Sequence, residues 1–248
     1  MDERSPLRIG LNGASGRMGR ALRELLRDDV RFALAAQITA SDDWKDAPAL
    51  DVAIDFSTPS GFAVALEHCE RHRAALVCGT TGLDAAMQSR LVTAAKKIPL
   101  LYAANFSLGI AVLTRLLREA ARALPDWDLE ILEAHHARKI DAPSGTALSL
   151  GRAAAQARGQ DFDQVATFAR HGQTGPRTPG AIGFSSLRGG EIVGEHTALF
   201  IGNDERIELT HRAADNAIFA RGALEAAAWL AGRAPGFYTI DDVIAVHG

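Results

Sequence analysis

The chain reads as an α/β protein built from two unlike halves, and three observations carry that reading. Short apolar strands alternate with helical stretches over the first hundred residues. A glycine-rich turn joins the first strand to the first helix. Beyond residue 165 the pattern changes to consecutive strand-like stretches with Gly/Pro connections. Alternation of the first kind predicts a parallel, doubly wound sheet, and consecutive strands predict an α+β domain with a mostly antiparallel sheet. The 248 residues leave ample length for a buried core in each half.

Taken in order, Leu7–Leu11 is the first strand, followed by Asn12-Gly13-Ala14-Ser15-Gly16-Arg17-Met18-Gly19 and a helical pattern through Leu22, Leu25 and Leu26. Strand, glycine turn and helix form the context of a Rossmann-type dinucleotide fingerprint. There the glycines let the backbone approach a pyrophosphate and the helix dipole favours its charge. The spacing is Gly-x-x-Gly-x-x-Gly, so by itself the motif is equally an ordinary turn. A second strand spans Phe32 to Ile38, and a third Val52 to Phe56. Thr58 as cap and Pro59 in the first turn start a helix to about Cys69. Ala75–Cys78 is a fourth strand running into Gly79-Thr80-Thr81-Gly82, and a helix follows over roughly 84–97. Leu100–Ala103 is a fifth strand ending in Ala104-Asn105-Phe106-Ser107. Ligands of such sheets lie at the carboxyl ends of the strands, where all three loops fall.

The second half opens with an amphipathic helix over 108–124. A strand containing Leu129-Glu130-Ile131-Leu132 comes next, and then the stretch richest in chemistry, Glu133 to Ala147. If extended geometry persists there, Glu133 and His135 share one face and His136 takes the other. Asp141 stands as the expected helix cap and Pro143 at the first helical position, with the helix running to about Arg158. Ser144, Gly145 and Thr146 then supply N–H groups and hydroxyls at a helix N-terminus, an anion site. Imidazoles, an ammonium group and an anion cradle so close together suggest proton transfer on an acidic substrate. No metal is expected at this stretch, because adjacent histidines on a strand diverge and it holds no Cys-x-x-Cys or His-x-x-x-His. Strand-like stretches follow over 167–171, 182–187, 192–201 and 206–212, with a Gly/Pro loop at 172–180. Phe184, Leu187, Ile192, Val193, Leu199, Phe200, Ile207 and Leu209 suggest a broad apolar sheet that needs covering, hence self-association. Helices are expected over 216–231 and from Thr239 onward.

Composition is globular, 47% hydrophobic and 23% charged. A net charge of −3 carries no footprint of a nucleic-acid or membrane partner. No apolar run reaches transmembrane length, no signal peptide opens the chain, and Cys69 and Cys78 are its two cysteines, so a cytoplasmic protein is expected. Cys78 reads as a packed residue at a strand end rather than a nucleophile.

The stretch Glu133-Ala134-His135-His136-Ala137-Arg138-Lys139-Ile140-Asp141-Ala142-Pro143-Ser144-Gly145-Thr146-Ala147 resembles the signature of the dihydrodipicolinate (4-hydroxy-tetrahydrodipicolinate) reductase family. The pattern Glu-x-His-His-x-x-Lys-x-Asp-Ala-Pro-Ser-Gly-Thr-Ala is met at every fixed position. Gly-Arg-Met-Gly, Gly-Thr-Thr and Ala-Asn-Phe-Ser resemble the family's cofactor loops, so the likeness extends over essentially the whole chain. It implies NAD(P)H-dependent reduction of 4-hydroxy-tetrahydrodipicolinate to tetrahydrodipicolinate in L-lysine and diaminopimelate biosynthesis. It implies His135 as proton donor or acceptor and Lys139 as second donor. His136, Gly145 and Thr146 would bind the dicarboxylate substrate. Gly13, Ala14, Ser15, Gly16, Arg17, Met18, Gly79, Thr80, Thr81, Ala103, Ala104, Asn105 and Phe106 would line NADPH or NADH. The resemblance also implies a homotetramer. It sets a dinucleotide-binding domain at 1–106 and 216–248, and a substrate and oligomerisation domain at 107–215. One departure touches cofactor choice: relatives often carry an acid followed by Arg after the second strand, where this chain has Thr39-Ala40-Ser41 and then Asp42 and Asp43. Two other readings stand beside this one. A different Rossmann dehydrogenase would need no His-His-x-x-Lys, and a non-catalytic nucleotide sensor would tolerate loss of His135 or Lys139.

Overall fold

The computed structural model describes residues 5–245. The chain runs β1 (Leu7–Asn12), α1 (Arg17–Asp28), β2 (Phe32–Ile38), β3 (Val52–Asp55), α2 (Pro59–His72), β4 (Ala75–Cys78), α3 (Ala85–Ala94) and β5 (Pro99–Tyr102). It continues through α4 (Leu108–Ala123), β6 (Asp128–His135), α5 (Gly145–Ala157), α6 (Phe162–Val165), β7 (Ala166–Thr167), β8 (Ile182–Arg188), β9 (Gly194–Ile201) and β10 (Arg206–Ala213). It closes with α7 (Ala217–Leu230), β11 (Gly236–Tyr238) and α8 (Ile240–Ile244). Two compact units result: 1–108 together with 217–248, and 109–216.

The first unit holds a six-stranded sheet in the order β11-β5-β4-β3-β1-β2, every pair parallel. β3 and β4 are buried along their whole length, as strands covered on both faces must be. On one face Ile9, Leu11, Ile54, Val77 and Leu101 pack with Leu22 and Leu26 of α1 and Leu224 and Leu230 of α7. On the other, Ala53, Leu76 and Leu100 pack with Phe62 and Leu66 of α2 and Leu91 of α3. Thr58 caps α2 by accepting from the Gly61 N–H, with Pro59 at the first position. Gly222 explains how closely α7 approaches: a Cβ there would lie 1.7 Å from the Phe106 carbonyl oxygen. The edge strand β11 is not apparent in the sequence pattern, which gave no strand between the last two helices.

The second unit holds a five-stranded sheet in the order β10-β9-β6-β8-β7. Its pairings are mixed: β10–β9 and β9–β6 are antiparallel, β6–β8 and β8–β7 parallel. The α/β fold class stands, with more parallel pairing in this sheet than the succession of strands suggested. The strand expected over 167–171 contracts to Ala166–Thr167. Past it Phe168 stacks on Phe184 at 5.2 Å and Arg170 turns to Glu130. Leu129, Ile131, Ile182, Phe184, Ala198 and Phe200 lie on one face beneath Leu113 and Leu117 of α4 and Leu150 and Ala154 of α5. The opposite face mixes Leu132, Leu187 and Leu199 with Glu130, Thr197 and Thr210 by strand alternation. The eight apolar residues expected to form one surface are therefore divided: Phe184, Phe200 and Leu209 belong to the helix-covered core, while Leu187 is 54% exposed.

Candidate active site

The first candidate region lies at the carboxyl ends of β1, β4 and β5, which the sheet order brings to one rim. Gly13 has φ +78°, and a Cβ on it would lie 2.3 Å from the Phe56 carbonyl oxygen, so the turn needs glycine twice over. The Gly13 and Ala14 N–H groups both donate to the Ile38 carbonyl and tie the turn to the end of β2. Among the described residues no side chain caps α1, and its first turn carries no acid. Its leading N–H groups therefore face outward beside the exposed Ser15, Gly16 and Arg17, a fit for a phosphate group. Ala14, Thr80 and Phe106 are buried, so they offer a ligand backbone rather than side chain.

Behind that rim sits a buried carboxylate. Asp55 accepts from Asn12 Nδ2 at 2.8 Å, Thr80 Oγ1 at 2.8 Å, the Ser57 hydroxyl and the Cys78 thiol. Thr80 Oγ1 also accepts from the Ser57 N–H at 3.0 Å. One acid thus joins the ends of β1, β3 and β4. Burial raises its pKa, since every donor to it is neutral. Burial likewise pushes up the Cys78 thiol, with the Asp55 charge acting in the same direction, as a packed, unreactive cysteine requires. At the end of β2 the Asp42 carboxylate folds back on the Thr39 N–H and hydroxyl.

The second region is the Glu133–Ala147 stretch, and here the alternation of β6 holds to its end. Glu133 and His135 share the helix-covered face, with His135 Nδ1 2.6 Å from Glu133 Oε2. Glu133 is 2% exposed. Arg188, opposite His135 in the parallel β8 register, donates to both Glu133 oxygens at 2.9 and 2.7 Å. The Ser144 N–H reaches Oε1 at 3.2 Å. Burial opposes ionisation of Glu133, but hydrogen bonds from Arg188, Ser186 and His135 outweigh it and hold the pKa at about 2. Lys139 Nζ donates to Asp141 Oδ1 at 2.8 Å, and Arg188 Nη2 donates to the Asp141 carbonyl. His136 diverges from this face, and its Nδ1 is buried without a hydrogen-bond partner among the described residues.

The start of α5 corrects one expectation. Its cap is Ser144, whose hydroxyl accepts from the Ala147 N–H at 3.2 Å, and the helix begins at Gly145. Asp141 stands three residues before that cap, with its carboxylate accepting from Lys139, and Pro143 precedes the helix instead of opening it. Gly145 and Thr146 still occupy the first helical turn, as an anion site there requires. Behind them His196 of β9 sits 3.0 Å from the Ser144 hydroxyl through Nε2 and 5.2 Å ring to ring from His135. Burial and the neighbouring His135 lower its pKa to about 4, so it is neutral near pH 7. Sequence reasoning passed over Arg188 and His196; the signal available was their place in a polar run at the strand ends, too common to single out. Among the described residues no group of His, Cys, Asp and Glu forms a metal site.

The two units and their sites define a class: a pyridine-nucleotide oxidoreductase with a Rossmann-type unit and a separate α+β unit bearing titratable groups. Family models of dihydrodipicolinate reductase match on both sides, the N-terminus over residues 7–106 and the C-terminus over 109–244. A 4-hydroxy-tetrahydrodipicolinate reductase of Thiobacillus denitrificans is 44% identical, covering 96% of this chain and 98% of its own. One from Zymomonas mobilis is 46% identical, covering 98% and 99%. A dipicolinate-bound dihydrodipicolinate reductase from Paenisporosarcina sp. TG-14 shares the fold with a TM-score of 0.78 at 22% identity, over 94% of this chain and 97% of that one. This chain belongs to the dihydrodipicolinate reductase family. No helix among the described residues is long and apolar enough to cross a membrane.

Proposed function

We propose that this chain reduces 4-hydroxy-tetrahydrodipicolinate, or the dihydro form it yields on losing water, to tetrahydrodipicolinate for lysine and diaminopimelate synthesis. The first unit would hold NADH or NADPH through the turn at Gly13–Met18 and the loops at Gly79–Thr81 and Ala103–Phe106. The nicotinamide would supply the hydride. The second unit would hold the substrate and supply the proton. The observation that carries this reading is the paired arrangement at the foot of α5. His135 and Lys139, the two groups able to give a proton, each contact a carboxylate, Glu133 and Asp141. A dicarboxylate calls for fixed N–H donors, which the helix start at Gly145 and Thr146 would supply, and His136 would contact a substrate carboxylate as the family resemblance implies. In this reading Lys139 relays or donates a proton to the ring while the cationic surroundings hold the substrate's charge. Assembly as a homotetramer would cover the open face of the second sheet, and the buried, unpaired Cys69 and Cys78 accord with a cytoplasmic enzyme.

The test is a coupled assay in which freshly generated 4-hydroxy-tetrahydrodipicolinate is offered with NADH and NADPH separately, following loss of reduced cofactor. Wild type should turn over, and Lys139→Ala should lose roughly 10²–10⁴-fold in kcat. The ratio of rates with the two cofactors reads the preference that the loop after β2 governs. Folded wild-type protein that consumes neither cofactor would refute the reading.

A further inference from the structure

Two proton-handling side chains would be of little use if each could wander, and the structure holds both through one guanidinium. Arg188 lies at the end of β8, level with His135. Its Nη1 and Nη2 form a two-pronged contact with Glu133, and Nη2 also donates to the Asp141 carbonyl. Glu133 accepts from His135 Nδ1, and the Asp141 carboxylate accepts from Lys139. We propose that Arg188 and Glu133 are positioning residues for the reaction: Glu133 fixes His135 with its proton on Nδ1, and Arg188 anchors both Glu133 and the backbone that carries the Lys139 partner. The proposal rests on the reductase reading for the roles of His135 and Lys139; the geometry it invokes does not.

The argument runs from the chemistry of the acceptor. An ionised carboxylate has no proton to give, so the nitrogen 2.6 Å from Glu133 Oε2 must be the donor. That assigns the N–H to Nδ1 and leaves Nε2 as the working nitrogen. Nε2 lies over Gly194, where a Cβ would approach it to 3.1 Å, so the ring occupies room that a side chain at 194 would contest. In the protonated ring Nε2 gives its proton to the ring position left electron-rich once hydride has added to the neighbouring carbon, and the Nδ1–H stays with Glu133, so one proton moves and the carboxylate keeps its charge. Arg188 serves Glu133 better than a lysine would, because a guanidinium meets both oxygens and the Asp141 carbonyl together, which an ammonium on a flexible stem does not. A mere stabilising ion pair would not require His135 as a third member, nor a contact to the segment of Lys139.

Glu133→Gln separates these roles. Glu133 Oε1 receives two fixed donors, Arg188 Nη2 and the Ser144 N–H, against one, Arg188 Nη1, at Oε2, so the amide oxygen of the variant will settle at the Oε1 position. The amide NH2 then faces His135 Nδ1, which must accept, and the ring is driven to carry its proton on Nε2. The experiment is 15N spectroscopy of histidine-labelled wild type, Glu133→Gln and Arg188→Lys, read in the neutral state of His135, with kcat and KM for each. Wild type should show His135 protonated at Nδ1. Glu133→Gln should show it at Nε2, with kcat lower by about 100-fold and KM within a few-fold. Arg188→Lys should keep the wild-type tautomer and lose about 10-fold in kcat. A folded Glu133→Gln protein that keeps Nδ1–H and nearly wild-type kcat overturns the proposal. If that variant does not fold, Arg188→Lys decides: kcat within about 2-fold of wild type overturns it. If wild type itself fails to turn over, the reductase reading falls, while the spectra still decide the tautomer.

Discussion

Asp55 and Glu133 are both buried carboxylates at strand ends, one in each unit, and their surroundings send them in opposite directions. Asp55 is 0% exposed and Glu133 2%, so burial penalises the charged form of both. Asp55 is met by an amide, two hydroxyls and a thiol, and burial prevails. Glu133 is met by a guanidinium on both oxygens, and its pKa falls to about 2. Depth alone therefore does not decide the state of a buried acid; the charge of its donors does. The first acid is a strut among loops that would receive a cofactor. The second is a fixed negative charge beside His135, the group proposed to handle the proton.

That contrast can be broken most severely by Glu133→Ala. It strands Arg188, the Ser144 N–H and His135 Nδ1 together, and breaking a buried ion pair from one side costs about 3–5 kcal/mol. Denaturant midpoints should register the loss; a change below about 1 kcal/mol would show that the pair does not carry stability. Acid supplies the next largest effect. A carboxyl with a depressed folded pKa stabilises the protein above its unfolded value, and that contribution is lost as pH falls from about 4.5 toward about 2. The shift corresponds to on the order of 3 kcal/mol. Wild type should therefore lose its advantage over Glu133→Gln across that window, and parallel stability curves would contradict the assignment. The smallest effect is expected at Asp55→Asn. The raised folded pKa means that ionisation destabilises the native state as pH climbs from 3.8. The isosteric amide should cost less than about 1 kcal/mol near neutral pH and gain relative to wild type as pH rises. A large loss that is independent of pH would place Asp55 with Glu133 after all.

Much of this architecture was legible because its signals are local. Phe32–Ile38 and Ala75–Cys78 form strands at the bounds that the apolar runs set. Thr58 with Pro59 and Thr239 with Asp242 start helices by the capping chemistry their side chains offer. The period of two along β6 put Glu133 and His135 on one face, as the 2.6 Å contact shows. What escaped was set by distant partners. Arg188 meets Glu133 from 55 residues away through a parallel pairing that no local pattern announces. Two good capping residues preceded α5, and which of them flanks the helix depends on where the backbone turns helical, at Gly145, which local sequence does not reveal. β11 is three residues of an edge strand, too short to carry a period.

The first unit takes its last strand and a covering helix from the end of the chain, and this fixes a timetable for synthesis. A ribosome delivers β1 to β5 first, then the whole inserted unit, and α7 with β11 last. Until α7 emerges, Ile54, Val77 and Leu101 lack the Leu224 and Leu230 that cover them in the finished protein. The inserted unit has all its strands by residue 213 and can close while its neighbour waits. The nascent chain thus passes through a period in which one half is complete and the other has an apolar sheet face that α1 covers but α7 does not yet, the kind of surface that chaperones hold.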